Sequence, residues 1–253
     1  MVTFDQLSET LAASELVAVG HLVDSSNQAL VCQLPSFRVV YKPSALENPL
    51  WDFPEGTISQ REVSASEVDR FLGWNLIPPT VWVEKGPVGE GSVQVFIEDA
   101  EIVDVAIFDS GEVPADWVHV VSGQLEERVV DVAHTQSSEV YRLAILDAIL
   151  NNADRKGGHL LRDTSNRLWA IDHGVCFHEE SKLRTVLWGW IGDSLGEAEA
   201  SDIRRLIDAI DDLELPGLSN EERQALVNRC FRLLSKGMPE PSRRWPAIPW
   251  PVF

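Results

Sequence analysis

The chain predicts an α+β fold of two lobes, a small β-rich lobe over residues 1–98 and a larger, mostly helical lobe over 99–253. Three observations predict it. Short apolar runs bounded by turn residues fill the first hundred residues, with one helical stretch among them. Helical periodicity takes over from Glu139 onward. One short hairpin pattern, 159–162 and 168–171, interrupts that helical region.

Residues 16–23 and 29–34 read as strands joined by the turn Asp24-Ser25-Ser26-Asn27, and 37–42 as a third strand. Ser59 and Glu62 have capping-box spacing at the start of a helix that runs to about Leu72. Residues 80–84 and 92–97 complete the sheet around a glycine-bearing turn, 86–91. Residues 99–137 are acidic and poorly periodic and read as loop. Tyr141, Ile145 and Ile149 mark a helix, and Ile203, Leu206, Ile207 and Ile210 share a face of another. Ser219 and Glu222 cap a third, striped by Leu226, Cys230 and Leu233. The tail from Pro239 is too rich in proline for a helix, and Trp245 and Trp250 are expected to pack back onto the large lobe.

The composition, 44% hydrophobic and 24% charged, suits a globular protein. A net charge of −19 argues against nucleic acid as a partner and disfavours anionic lipid. Cys32, Cys176 and Cys230 are too few and too scattered for a disulfide framework or a zinc cluster, so reduced core thiols are expected. No run approaches the roughly twenty apolar residues of a membrane span. The first residues lack a basic region followed by an apolar one, so a cytoplasmic location is expected. Nothing in the sequence speaks to oligomeric state.

The chemistry concentrates in residues 146–177. A helix ends in the polar tract Asn151-Asn152-Ala153-Asp154-Arg155-Lys156-Gly157-Gly158. The hairpin follows, turned by Asp163-Thr164-Ser165-Asn166, and runs into Asp172-His173-Gly174. A hairpin of that size brings Asp172 back beside Asp154 and His159. Two carboxylates and a nitrogen ligand there suit a divalent ion carrying nucleotide phosphates, plus a base for an attacking hydroxyl.

Asn-Ala-Asp-Arg-Lys-Gly-Gly-His (152–159) followed by Ile-Asp-His-Gly (171–174) resembles the catalytic and metal loops of phosphatidylinositol 3-/4-kinase-related enzymes. Type II phosphatidylinositol 4-kinases and HipA-type kinases share this layout. Tyr41-Lys42-Pro43, Arg61-Glu62-Val63, Pro78-Pro79-Thr80 and the tryptophan-rich end carry a closer similarity to a bacterial family related to these kinases. The resemblance implies a kinase-like fold, with ATP and Mg²⁺ or Mn²⁺ bound between the lobes.

It further implies that Lys42 contacts phosphates, although a lysine snorkelling from a strand has the same sequence signature. Glu62 is the implied partner of Lys42, with Glu67 as competitor and a capping role as the plain alternative. Ser25, Ser26 and Asn27 could cradle phosphates with backbone N–H groups. The stretch from Gln94 to Glu98 falls where an inter-lobe hinge would meet adenine. Asp154 is the expected base, and Arg155 and Lys156 either partner it or stabilise the transferred phosphate. Asp172 is the expected metal ligand. His159 stands where kinases keep a metal-binding asparagine, which favours Mn²⁺ and predicts an acid limb near ~6.5, the ordinary histidine pKa. The implied activity is phosphoryl transfer to a protein or small-molecule hydroxyl. A nucleotide-binding pseudokinase, a phosphatidylinositol kinase and a nucleotidyl transferase on the same fold remain open.

Overall fold

Strand β3 (Arg38–Pro43) sets the geometry of the small lobe, because its side chains alternate strictly between two environments. Val39 and Tyr41 are fully buried on one face, and Lys42 takes the other. The computed structural model of the chain describes residues 2–22, 28–48, 50, 52–53 and 57–253. In it β1 (Val17–His21), β2 (Leu30–Gln33), β3, β4 (Thr80–Gly86) and β5 (Gly89–Val95) form an antiparallel sheet in the order β1-β2-β3-β5-β4. Tyr41 stands opposite Val93 and Lys42 opposite Ser92. Gly91 is required there, since a Cβ would strike the Lys42 carbonyl oxygen and the Pro43 Cα.

Two helices serve this sheet, where the sequence predicts one. Helix α1 (Phe4–Ala13) starts with a Thr3–Gln6 capping box and packs Leu7 against Leu30, Val39, Tyr41 and Val93. Helix α2 (Ile58–Leu72) begins within a residue of the expected start, but Ser59 and Glu62 form no capping box. Glu47 caps the helix instead, accepting hydrogen bonds from the amides of Ile58 (3.1 Å) and Ser59 (2.7 Å). Glu62 is thereby released for another partner. The other flank of α2, with Ala65, Val68 and Leu72, belongs to the core of the large lobe, so this helix joins the two lobes.

Residues 99–137 are not a loop. Strands β6 (Val105–Asp109), β7 (Trp117–Leu125) and β8 (Arg128–Thr135) form a second antiparallel sheet in the order β6-β8-β7. Its strands do carry apolar residues (Val105, Ile107, Trp117, Val121, Val130 and Val132), but acidic turns separate them and most of β7 is exposed. Beyond it, α3 (Ser138–Leu150) is buried along most of its length, with Leu143, Ile145, Leu146, Ile149 and Leu150 at 0% exposure. Truncating one of these to alanine would cost about 2–5 kcal/mol. Helices α4 (Glu197–Ala209) and α5 (Asn220–Lys236) pack against α3 and α2 through Ile203, Leu206, Leu226, Cys230 and Leu233. All three cysteines are buried and free.

The hairpin β9 (Leu160–Arg162) and β10 (Leu168–Ala170) is short, as expected, and turned by Asp163, whose carboxylate accepts from the Ser165 and Arg167 amides. It is pinned on both edges. Arg162 exchanges backbone hydrogen bonds with Glu101 of the inter-lobe linker, and the Ala170 amide donates to the Leu76 carbonyl after α2. The tail docks differently from the expectation. Val252 is buried and its carbonyl accepts from the Gly157 amide, and Trp245 lies over the Lys182 ammonium, but Trp250 is 82% exposed. Among the described residues no helix is long and apolar enough to cross a membrane.

Candidate functional site

Residues adjacent in sequence part company where α3 ends. Asn151 closes the helix in the left-handed region, and its side chain holds the loop at 178–182 by bonds to the His178 and Glu180 carbonyls and the Lys182 amide. Asn152 is fully buried, donating to Asp147 and accepting from the Asp154 amide at 2.9 Å. That turn directs Asp154 outward, where its side chain is 29% exposed and 3.5 Å from Lys156 Nζ. Burial raises the Asp154 pKa, against the opposing pull of Lys156.

Arg155 turns the other way. It is fully buried, with a bidentate pair to Asp147, a 2.8 Å bond to the Ile171 carbonyl and a 2.6 Å bond to His173 Nε2. The expectation that Arg155 faces a transferred phosphate is therefore corrected: its donors are spent inside the lobe. It ties the loop after α3 to the loop after β10.

Asp172 ends that second loop in the left-handed region (φ 62°), an uncommon conformation for a residue with a side chain. The backbone there sends the Asp172 carboxylate, about half exposed, toward Lys42 at the junction of the two lobes (the cleft) and the His173 ring inward. Lys42 forms an ion pair with Glu62 and a second with Asp172 at 3.1 Å, and Glu62 also accepts from the His173 amide at 2.9 Å. One lysine thus joins β3, α2 and the loop after β10. Burial opposes the Lys42 charge, but the two carboxylates outweigh it and raise its pKa. The Lys42 ammonium, with help from His159, holds Asp172 far below the usual carboxylate range. Gly174 makes the close approach possible, since a Cβ would collide with Ile58 Cγ2.

His159 lies at the mouth of the hairpin, its Nε2 3.5 Å from Asp172 Oδ2. Burial lowers its pKa to about 4, with Asp172 opposing. That burial shifts any acid limb from this ring below the expected 6.5. Among the described residues no group of three or more His, Cys, Asp and Glu is arranged to hold a metal ion. Asp172 and His159, side by side, are the two residues here that could share a divalent ion, which would need further ligands from outside the chain.

Of the remaining candidates, one group falls outside the described residues and the others have partners away from Lys42. Ser25, Ser26 and Asn27 lie outside the described residues. The Gln94 side chain is buried inside β5 and bonds Thr80 at 2.8 Å, and Glu98 is paired with Arg38 on the surface, so neither side chain is directed at the cleft. Glu67 pairs with Arg70 on α2 and does not compete for Lys42. The sequence assigns no role to Asp147 or Asn152, although Asn152 stands two residues before Asp154.

The small antiparallel sheet, the joining helix and the larger α-rich lobe with its hairpin define a kinase-like α+β fold. A solved structure of hydra Fam20 with sugar shares this fold, with a TM-score of 0.54 over 91% of this chain and 86% of that one at 12% identity. The chain is 36% identical to protein Rv2133c of Mycobacterium tuberculosis over 277 aligned positions, 100% of this chain and 98% of that protein. It belongs to the family of Rv2133c. A shorter match, 36% over 110 residues, covers 40% of this chain and 19% of phosphatidylinositol 4-kinase gamma 4 of Arabidopsis thaliana. No protein-family model matches the chain.

Proposed function

We propose that this protein is an ATP-dependent phosphotransferase acting on a protein or small-molecule hydroxyl, with its site between the lobes. The observation that carries this reading is Lys42 paired at once with Glu62 and Asp172, so that one cation and one half-exposed carboxylate face the same cleft beside Asp154. Lys42, held charged, provides a fixed counter-charge for the nucleotide phosphates, and Glu62 fixes its position. Asp172 and His159 would hold the divalent ion. Such an ion would supply positive charge to offset that of the nucleotide phosphates. The backbone of 94–98, at the end of β5, is the proposed contact for adenine.

Asp154 accepts the proton of the acceptor hydroxyl as its oxygen bonds to the γ-phosphorus. The bond between the γ-phosphorus and the β,γ-bridging oxygen breaks, and ADP leaves. Burial raises the basicity of Asp154 toward working pH, which favours this role. Lys156, 3.5 Å away, offsets charge on the reacting oxygens.

Incubation with ATP and Mg²⁺ or Mn²⁺, followed by mass measurement of candidate acceptors and of the protein itself, tests the reading. A gain of roughly 80 Da marks phosphoryl transfer and roughly 329 Da adenylyl transfer, because the phosphate aligned with the nucleophile decides which group moves. Metal-dependent thermal stabilisation by ATP with no mass gain would indicate a pseudokinase. Absence of both would refute the proposal.

A further inference from the structure

A cavity of about 280 Å³ lies in the large lobe, between the C-terminal half of α5 and the loop that Asn151 holds. Its wall carries Arg229, Arg232 and Lys236, which fall at i, i+3 and i+7 on one face of α5. Three cations around one hollow are a local reversal in a chain of net charge −19. One carboxylate, Glu240, also borders it.

Arg229 is the informative residue. It is 7% exposed, and its Nε and Nη1 donate to the Ile149 and His178 carbonyls at 2.8 and 3.2 Å. Nη2 is buried with no hydrogen-bond partner, and no carboxylate forms an ion pair with this guanidinium among the described residues. A buried cation with neutral acceptors alone is costly, and an anion is the partner it lacks. Arg155, fully buried, shows the contrast: it has the Asp147 carboxylate at 3.0 Å. The absence of such a partner also appears as a lowered Arg229 pKa, about 10, caused by burial.

We infer that this cavity is a second binding site, separate from the cleft, for a small molecule bearing a phosphate group. Three cations match a dianion better than a single carboxylate, and the arginine fork suits phosphate oxygens. Hydroxyls of Ser181 and Ser242 add donors, while Leu183, Leu233 and Met238 offer contact to an apolar part of the ligand. The volume limits that part to a few carbon atoms or one ring. Arg229 holds the carbonyl of Ile149, two residues before Asn151 at the end of α3, and that of His178, on the loop that follows Gly174. Occupancy would therefore stabilise both loops that carry the cleft residues.

Calorimetric titration of the full chain with phenyl phosphate, and with inorganic phosphate beside it, tests the inference without reference to catalysis. Saturable binding is expected, tighter for phenyl phosphate than for inorganic phosphate. The double variant Arg232→Ala/Lys236→Ala alters exposed side chains and keeps the fold; it should weaken binding about tenfold or more. Lys42→Met, which removes the phosphate-facing cation of the cleft, should leave binding unchanged. The inference is overturned if the wild-type chain shows no saturable heat up to about 10 mM. Binding that survives the α5 double variant, or binding lost with Lys42→Met, overturns it equally.

Discussion

Two charged clusters share one hairpin and differ in what they face. The cleft cluster, Lys42, Glu62, Asp154, His159 and Asp172, leaves Asp154 29% and Asp172 49% exposed. The buried cluster, Arg155, Asp147, Asn152 and His173, is sealed, with Arg155 and Asp147 at 0%. Their members are neighbours in sequence, since Asp154 precedes Arg155 and Asp172 precedes His173. The comparison teaches that residue type does not separate reacting groups from positioning groups. Exposure and unspent hydrogen-bonding capacity separate them.

Substitutions in the two clusters should fail in different ways, and the largest effect belongs to the cleft. Asp154→Asn is expected to lower phosphoryl transfer by ~10²–10⁴-fold while ATP still stabilises the fold, because only the acceptor proton loses its base. Asp172→Asn should instead abolish metal-dependent stabilisation by ATP, a loss of ~2.7 kcal/mol at ligand a hundredfold above its dissociation constant. Full transfer by Asp154→Asn, measured with a true acceptor, would remove it from the role of base.

In the buried cluster, Asp147→Asn strands a guanidinium in the core and should lower stability by about 3–5 kcal/mol. Denaturant unfolding monitored by tryptophan fluorescence reads this directly. Asp154→Asn should cost far less stability in the same experiment, since its carboxylate is 29% exposed and strands no buried cation. Equal losses for the two variants would erase the distinction between the clusters.

A third buried charge sharpens the comparison through pH. Asp69 on α2 is almost fully buried, with Oδ2 accepting from the Ile77 amide at 2.8 Å and Oδ1 without a partner. Burial raises its pKa to about 7, against the help of that bond. The folded pKa lies above the unfolded one, so folding takes up a proton. The stabilisation is complete below about 4, where unfolded aspartate titrates, and is lost as pH rises through about 7. Asp69→Asn should flatten the fall in melting temperature between about pH 4 and 7. An unchanged slope would show that Asp69 is ionised in the fold.

The smallest expected effect lies at His159. With its pKa near 4, wild-type activity should hold through pH 6 and fall toward 4. His159→Asn should shift metal preference from Mn²⁺ toward Mg²⁺ by a modest factor, as an amide oxygen replaces an imidazole nitrogen. Initial rates in the two metals across that range check both parts. An acid limb at 6.5 in the wild type would mean that the ring is more hydrated than its burial indicates.

The amino-acid sequence by itself determined the elements whose signals are local. Alternation with turn residues marked β2, β3, β4 and β5. Periodicity marked α3, α4 and α5, and the tract from Asn151 to Gly174 located the loops and hairpin. Tertiary structure alone decided the rest, because it depends on contacts between distant residues. Ser59 and Glu62 satisfy a capping box in sequence, yet Glu47 takes the cap and Lys42, twenty residues away, takes Glu62. Arg155 has the composition of a phosphate ligand, but Asp147 and the Ile171 carbonyl draw it inward. The second sheet was illegible because acidic turns break up its apolar runs, and only the pairing of β6 and β7 with β8 joins them. Local sequence reports propensity and period, whereas partner choice for a charge is settled by which groups the fold has already desolvated beside it.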